Sequence, residues 1–193
     1  MENLHDSASE KSSERFKCYL LSVSYSALDV SWVDSKSLFG YSQELRGRYL
    51  EQLATLPWEE VIKSRGASFD SLRNILLHTI DAEDRLVNYI ISGRTKDWVS
   101  LDWDDFRDMD SIRKRAGEVE SKAKDYIAKM DSAELERKVE MPRIGMNSLS
   151  VRVEDVIVHA ALENIHHFGE LIALLWQMDL NPPHMGWIAY SQK

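Results

Sequence analysis

Cysteine, glycine and proline are scarce in this chain of 193 residues, and each scarcity constrains the fold. The single cysteine, Cys18, excludes an intramolecular disulfide and suits a reducing compartment. Eight glycines and four prolines are too few to separate many short strands, so long helices are favoured. Because 44% of the residues are hydrophobic and 29% are charged, the chain can bury a core. We therefore predict an all-α globular fold.

Long apolar runs and an excess of basic residues are also missing. No stretch of about twenty apolar residues is present, and residues 1–6 lack the basic start of a secretory signal. We therefore expect no membrane partner and a cytoplasmic location. The 24 basic residues are outnumbered by 32 acidic ones, which gives a net charge of −8. That charge repels phosphate backbones, so we expect no nucleic acid partner.

Apolar residues recur at steps of three or four in four segments, which predicts four helices. The segments cover residues 34–56, 68–92, 108–130 and 150–178. Asp34 suits the N-cap of the first helix, and Pro57 ends it. The second helix begins near Ser68 or Asp70, and Gly93 follows its end.

Four amphipathic helices of this length bury their apolar stripes against one another. The connections are long enough for a crossover, so we predict a four-helix bundle with a crossover connection. Residues 135–150 predict a turn with two short strands, and the aromatic tail at 185–190 is expected to fold back over one end of the bundle. We divide the chain into a mostly irregular, partly disordered N-terminal arm, residues 1–34, and the bundle domain, residues 35–193.

Polar residues interrupt the apolar stripes of two of these helices. On the fourth helix, Glu163 and His167 are four residues apart and share the face that points into the bundle. On the second, His78 falls on the stripe between Ile75 and Ala82. An imidazole or a carboxylate inside an apolar bundle is costly unless it is paired or coordinated. One divalent cation held by all three side chains would supply that partner.

The spacing alone leaves a second interpretation open. The glutamate and the histidine of the fourth helix could form an ordinary salt bridge, with His78 bonded to a backbone carbonyl. Other groups near this face could replace a ligand or hold one in place: His159, His166 and Glu170. The acidic residues Asp81 and Glu83 are further candidates for that supporting role.

Two segments of the sequence carry a resemblance to a known family. Residues 76–83 (LLHTIDAE) and 159–175 (HAALENIHHFGELIALL), followed by Asn181-Pro182-Pro183 and an aromatic tail, are similar to the DinB/YfiT-like superfamily. The likeness covers about residues 35–190. It implies a four-helix bundle, often dimeric, with a divalent metal held by three histidines. One histidine comes from the second helix and two come from an H-x3-H pair on the last.

The ligand positions carry over with one departure. His78 matches the histidine of the second helix and His167 the last histidine, but Glu163 occupies the position of the middle one. Glutamate can also ligate, which gives a set of two histidines and one carboxylate. Loss of the metal, or replacement of the ligand by His159 or His166, are the alternatives. We favour retention, because one ligand type has been exchanged for another.

The resemblance also implies a function. Members of the superfamily look like metal-dependent thiol transferases and isomerases that use a low-molecular-weight thiol, and others look like hydrolases. We therefore expect a small-molecule substrate, a homodimer and one divalent ion, zinc or nickel before iron or manganese. The alternative is a non-catalytic dimeric bundle with a structural or vestigial metal site. Four tryptophans could line the mouth of a pocket: Trp58, Trp98, Trp103 and Trp187.

Overall fold

A computed structural model describes residues 34–143, 146–184 and 186–193 of the chain, and helices dominate it. The helices are α1 (Ser35–Leu53), α2 (Trp58–Ile62), α3 (Leu72–Glu83), α4 (Met109–Ile127), α5 (Ser132–Glu136), α6 (Val153–Gln177) and α7 (Trp187–Tyr190). A π-helical segment, Asp84–Ile90, continues α3, and an antiparallel hairpin of β1 (Lys138–Arg143) and β2 (Met146–Arg152) precedes α6. Residues 1–33 of the predicted N-terminal arm, Cys18 among them, lie outside the described residues.

The ends of the long helices follow local chemistry. The carboxylate of Asp34 accepts a hydrogen bond from the backbone N–H of Ser37 at 3.0 Å, which confirms the predicted N-cap of α1. Helix α3 begins later than expected because Asp70 has a φ of +71° and Ser71 caps the helix instead. Gly93, with a φ of +72°, follows the end of the π-helical segment.

Helices α1 and α6 lie side by side and run in the same direction. Ser42 on α1 contacts Asn164 on α6. Two turns later on α1, Tyr49 stacks on Phe168, which lies one turn after Asn164, with ring centroids 5.0 Å apart. The residue numbers rise together along both helices, so the pair is parallel.

Helices α3 and α4 form the second parallel pair. Arg115 pairs with Asp84 at 2.5 Å, and one turn further along both helices Asn88 donates to the carbonyl oxygen of Val119 at 3.3 Å. The segment between them, residues 91–108, must therefore return along the whole length of the bundle. The predicted four-helix bundle with a crossover is confirmed, and the hairpin provides the two predicted strands.

A buried polar layer separates two apolar clusters along the bundle. Arg46 and Glu83, both 0% exposed, form an ion pair at 2.5 Å. Arg46 contacts Oε2 of Glu83, and Gln43 donates to Oε1 at 2.9 Å. The side-chain amide of Asn164 lies 3.4 Å from Oε2, and Glu120 approaches Arg46 at 3.6 Å. These five residues, called the core network below, join α1, α3, α4 and α6 at one level.

The C-terminal tail folds back along the flank of α1 rather than over an end of the bundle. Tyr41 on α1 meets Trp187 and Tyr190 edge to face, at centroid distances of 5.5 and 5.4 Å. At the end of the tail, Lys193 binds Glu44 at 2.6 Å. Among the described residues, no helix combines the length and the apolar character needed to cross a membrane.

Candidate metal centre

The loop ahead of α3 carries two residues of the candidate site. Gly66 and Asp70 both have positive φ values, +69° and +71°, and Ala67 forms a β-bridge with Asp70. The resulting tight turn presents Ser68 and Phe69 between α3 and α6. Ser68 donates its backbone N–H and its hydroxyl to a carboxylate on α6, that of Glu170, at 3.2 and 2.7 Å. The loop is thereby tied to α6.

Three side chains from two helices converge next to this loop. Nε2 of His78 on α3 lies 3.1 Å from Oε1 of Glu163 on α6, and Nε2 of His167 lies 3.3 Å from the same oxygen. All three donor atoms lie within 4.8 Å of one another. The side chains are mostly enclosed, with 23%, 30% and 8% of their surfaces exposed. The structure therefore brings together the three predicted residues as a group that could hold a metal ion.

The hydrogen bonds of His167 determine which of its nitrogens faces the group. Nδ1 contacts the carboxylate of Glu170 at 2.9 Å, and a carboxylate accepts, so the proton is assigned to Nδ1. In the neutral ring, Nε2 then presents a lone pair toward Oε1 of Glu163. Two acceptors that face each other repel unless a second proton or a cation lies between them.

The donor set suits a divalent ion in both chemistry and spacing. Four-coordinate zinc with ligand bonds of about 2.0–2.1 Å places its ligand atoms roughly 3.3 Å apart. The two nitrogen–oxygen separations at the site, 3.1 and 3.3 Å, are close to that value. Glu170 in addition supplies the carboxylate that commonly fixes a ligand histidine through its other nitrogen. The residues present therefore fit the metal that the resemblance implies.

Burial and mutual contacts shift the pKa values of the group. Burial lowers the pKa of His78, against the hydrogen bond with Glu163, which raises it. Burial acts to raise the pKa of Glu163, but the contacts with His78 and His167 outweigh it and the pKa is lowered. The pKa of Glu170 is also lowered, because its bonds with Ser68 and His167 outweigh burial. Ionised carboxylates beside a neutral imidazole are the state that binds a cation.

Phe69 contacts both imidazoles of the group. Its ring stacks on His78 with centroids 3.9 Å apart and planes at 19°, and it meets His167 edge-on at 5.2 Å. Sequence reasoning missed the roles of Phe69 and Ser68, because the predicted helix over residues 68–92 included them, whereas the structure places both in the loop ahead of α3. The turn signals that flank them, Gly66 and Asp70, could have marked a structured loop.

The alternative histidines take other positions. His159 lies one turn before Glu163, is exposed, and lines a cavity beside the group. His166 is exposed, with its ring perpendicular to that of His167 at 5.0 Å. Together with His167 and Glu170 it forms a second, more exposed group that could hold an ion. The more enclosed group, with its donor from a second helix, is the better candidate.

Two other predicted supporting carboxylates have different partners. Asp81 accepts from the hydroxyl of Ser100 at 3.0 Å, and burial raises its pKa against that bond. Glu83 is bound to Arg46 in the core network. Of the three carboxylates considered, Glu170 is therefore the one that contacts an imidazole of the group.

A cavity of about 280 Å³ adjoins the group and includes His78 and Glu163 in its walls. Five apolar or aromatic residues and four polar or charged ones form the other walls: Ala82, Leu86, Trp98, Trp103 and Met141, with Asp81, Arg85, Ser100 and His159. Two of the four tryptophans expected at a pocket thus line it, while Trp58 packs on the apolar core and Trp187 packs on α1. The cavity thus lies beside two of the three residues of the group.

Comparison with known proteins agrees with the resemblance of the two segments. The sequence model of the DinB superfamily matches residues 42–171, which is more than half of the chain and includes all three residues of the group. No curated protein matches the chain. The four-helix bundle with its crossover and the position of the group between α3 and α6 accord with the match. The chain belongs to the DinB superfamily.

Proposed function

We propose that this protein is a metal-dependent enzyme that acts on a small molecule, of thiol-transferase or hydrolase type. His78, Glu163 and His167 bind one divalent ion, with zinc or nickel preferred over iron or manganese. Glu170 is a positioning residue that holds the ring of His167 through Nδ1. Two histidines and one carboxylate leave coordination positions for water or substrate, as in catalytic rather than structural sites.

One observation carries this proposal. Nε2 of His167 and Nε2 of His78 face the same oxygen of Glu163, while Nδ1 of His167 contacts the carboxylate of Glu170. With the proton assigned to Nδ1, Nε2 of a neutral His167 directs a lone pair at that oxygen. Such an excess of acceptors in an enclosed site is stabilised by a cation. The metal-free alternative is an imidazolium between two carboxylates, which corresponds to the non-catalytic bundle.

The chemistry of the site follows from its open side. A divalent ion supplies a nucleophile at neutral pH by lowering the pKa of a bound water or thiol, and it polarises an electrophile. The cavity holds the substrate beside His78 and Glu163. Phe69 stacks on the ring of His78 and reduces the area of that ring available to water. His159, exposed on the cavity wall, is placed to exchange a proton with a bound molecule.

Metal analysis tests the ligand assignment. Protein loaded with zinc and then dialysed should retain about one zinc ion per chain, measured by inductively coupled plasma mass spectrometry. The variants His78→Ala and His167→Ala should lose it, and Glu163→Gln should bind more weakly because the ligand charge is gone. His166→Ala should retain the metal, because His166 lies outside the more enclosed group, and loss of zinc in this variant would assign the ion to the second group instead. Full zinc content in both ligand variants would contradict the assignment.

Activity measurements then separate catalysis from a structural role. Hydrolysis of p-nitrophenyl acetate, and transfer of cysteine or glutathione to 1-chloro-2,4-dinitrobenzene, are followed with and without zinc. Turnover that requires zinc in either assay supports the enzyme and identifies its type. Zinc that raises the melting temperature without turnover in either assay supports the non-catalytic bundle. The homodimer and the absence of nucleic acid binding stay predictions.

A further inference from the structure

Arg85 is a cation on the wall of the cavity without an acidic partner. Its guanidinium lies over the ring of Trp98, 5.1 Å from the ring centroid. Among the described residues it forms neither an ion pair nor a hydrogen bond. Arg46 and Arg115, which are also enclosed, are each bound to a buried carboxylate. A guanidinium on a cavity wall, with no acidic partner among the described residues, provides strong donors for an anion.

Three N–H donors of this wall are buried without an acceptor. They are Nε of Arg85 and the indole Nε1 atoms of Trp98 and Trp103, and none has a partner among the described residues. All three residues line the same cavity. These three atoms are closed to solvent, whereas Nη1 and Nη2 of Arg85, which also lack a partner among the described residues, retain accessible surface and are the donors that an acceptor can reach.

The size and charge of the cavity limit the anion that fits. A volume of about 280 Å³ lies at the lower end of the range for small-molecule sites. Asp81 and Glu163 also line the cavity, and their charges oppose a dianion such as a phosphate monoester. A planar carboxylate carries one charge and matches the fork of a guanidinium. The aromatic and aliphatic walls suit a flat apolar body.

We propose that Arg85 binds the carboxylate of a small substrate whose apolar body packs against Trp98 and Trp103. Arg85 follows His78 by seven residues, two helical turns or about 10 Å along the same face. The opposite end of the substrate is therefore directed toward His78 and Glu163. That last step rests on the proposed function, whereas capture of the carboxylate by Arg85 is independent of the metal.

Titration with benzoate, monitored through the indole N–H signals, tests the proposal. The chain has six tryptophans, and the substitutions Trp98→Phe and Trp103→Phe assign the two signals of the cavity in ¹H–¹⁵N spectra. Benzoate should shift one or both of these signals. The neutral analogue benzamide should bind more weakly by about tenfold, a difference of roughly 1.4 kcal/mol.

Substitutions of arginine make the test specific. Arg85→Gln should weaken benzoate binding by about tenfold or more, and Arg85→Lys by less, since it keeps the charge without the fork. Arg94→Gln is the matched control, because Arg94 also lies over an aromatic ring, that of Tyr89 at 5.2 Å, but does not line the cavity. It should leave the affinity unchanged. Equal affinity of wild type and both Arg85 variants, or equal affinity for benzamide, would overturn the proposal.

Parallel zinc analysis separates this inference from the proposed function. The titration is run on zinc-loaded and on chelator-treated protein. Benzoate binding that depends on Arg85 in both forms supports the carboxylate site even where zinc is not retained. Zinc retained at full stoichiometry without binding that depends on Arg85 overturns the carboxylate site and leaves the metal assignment standing.

Discussion

Removal of the negative charge of Glu83 should destabilise the fold more than any single change of a surface charge. Glu83 and Arg46 are both 0% exposed, and the remaining carboxylate near Arg46, that of Glu120, is 3.6 Å away and 27% exposed. The substitution Glu83→Gln preserves the shape and leaves a buried guanidinium poorly compensated. Loss of one partner of a buried pair costs about 3–5 kcal/mol. In a domain of about 160 residues, each kcal/mol lowers the melting temperature by about 2–4 °C.

Urea unfolding at pH 7, followed by circular dichroism, measures the free energy of unfolding directly. Glu118→Gln is the matched control, because Glu118 is 49% exposed and lies 3.8 Å from Arg115 on the surface of α4. It should cost less than about 1 kcal/mol. A similarly small loss for Glu83→Gln would refute the reasoning, since it would mean that the buried pair is not held by charge.

A double variant separates the cost of an unpaired charge from the worth of the pair. Replacement of both residues, in Arg46→Met with Glu83→Leu, removes both charges and keeps the volume apolar. Such replacements are often neutral or stabilising. The double variant should therefore be more stable than Glu83→Gln alone. A double variant that is less stable than Glu83→Gln would contradict this expectation and would show that the pair itself contributes net stability.

Three further outcomes are expected. Glu170→Ala removes the acceptor of an imidazole N–H and should weaken zinc binding by about 10–100-fold, measured by competition with a chelating dye. Phe69→Leu loses the ring stacked on His78 and should speed the release of zinc to a chelator, with stoichiometry unchanged. The hydrogen bond from Arg137 lowers the pKa of Glu134 from 4.5 to about 2, so its stabilisation is complete above pH 4.5 and is lost as the pH falls toward 2. The difference in unfolding free energy between wild type and Glu134→Gln should narrow over that interval in urea titrations. A difference in unfolding free energy that stays constant over this pH interval would contradict the prediction.

The helices and half of the candidate site follow from local sequence signals. Periodicity, an N-cap at Asp34 and a stop at Gly93 depend on neighbouring residues alone, so they could be identified without tertiary information. The same holds for Glu163 and His167, because residues four apart on a helix share a face. The convergence of His78 with that pair depends on how α3 lies against α6. The apolar stripes indicated that His78 also points into the bundle but left an ordinary hydrogen-bonded histidine open as the alternative, and the family resemblance favoured the shared site.

The core network and the cavity could not be identified in this way. Arg46 and Glu83 have the residue types of solvated helix faces, and their burial depends on contacts among four helices. Phe69 and Arg85 likewise acquire their roles from elements distant in sequence: the loop meets α6, and the π-helical segment meets the crossover that carries Trp98. Charged residues such as Arg46, Glu83 and Arg85 do not recur at a fixed spacing, so hydrophobic periodicity cannot identify them.

Adjacent residues of α6 connect the core network to the candidate metal centre. Glu163 belongs to the centre and Asn164 to the core network, and successive side chains on a helix point about 100° apart. A rotation of α6 that moved the carboxylate away from His78 would also pull the amide of Asn164 from Glu83, 3.4 Å away, and both of these residues are 0% exposed. On α3, His78 belongs to the centre and Glu83, five residues later, belongs to the core network. The contacts of Glu83 therefore constrain the orientation of His78 in the same manner. The buried charges therefore fix the relative rotation of the two helices, and that rotation determines the distance between the donor atoms.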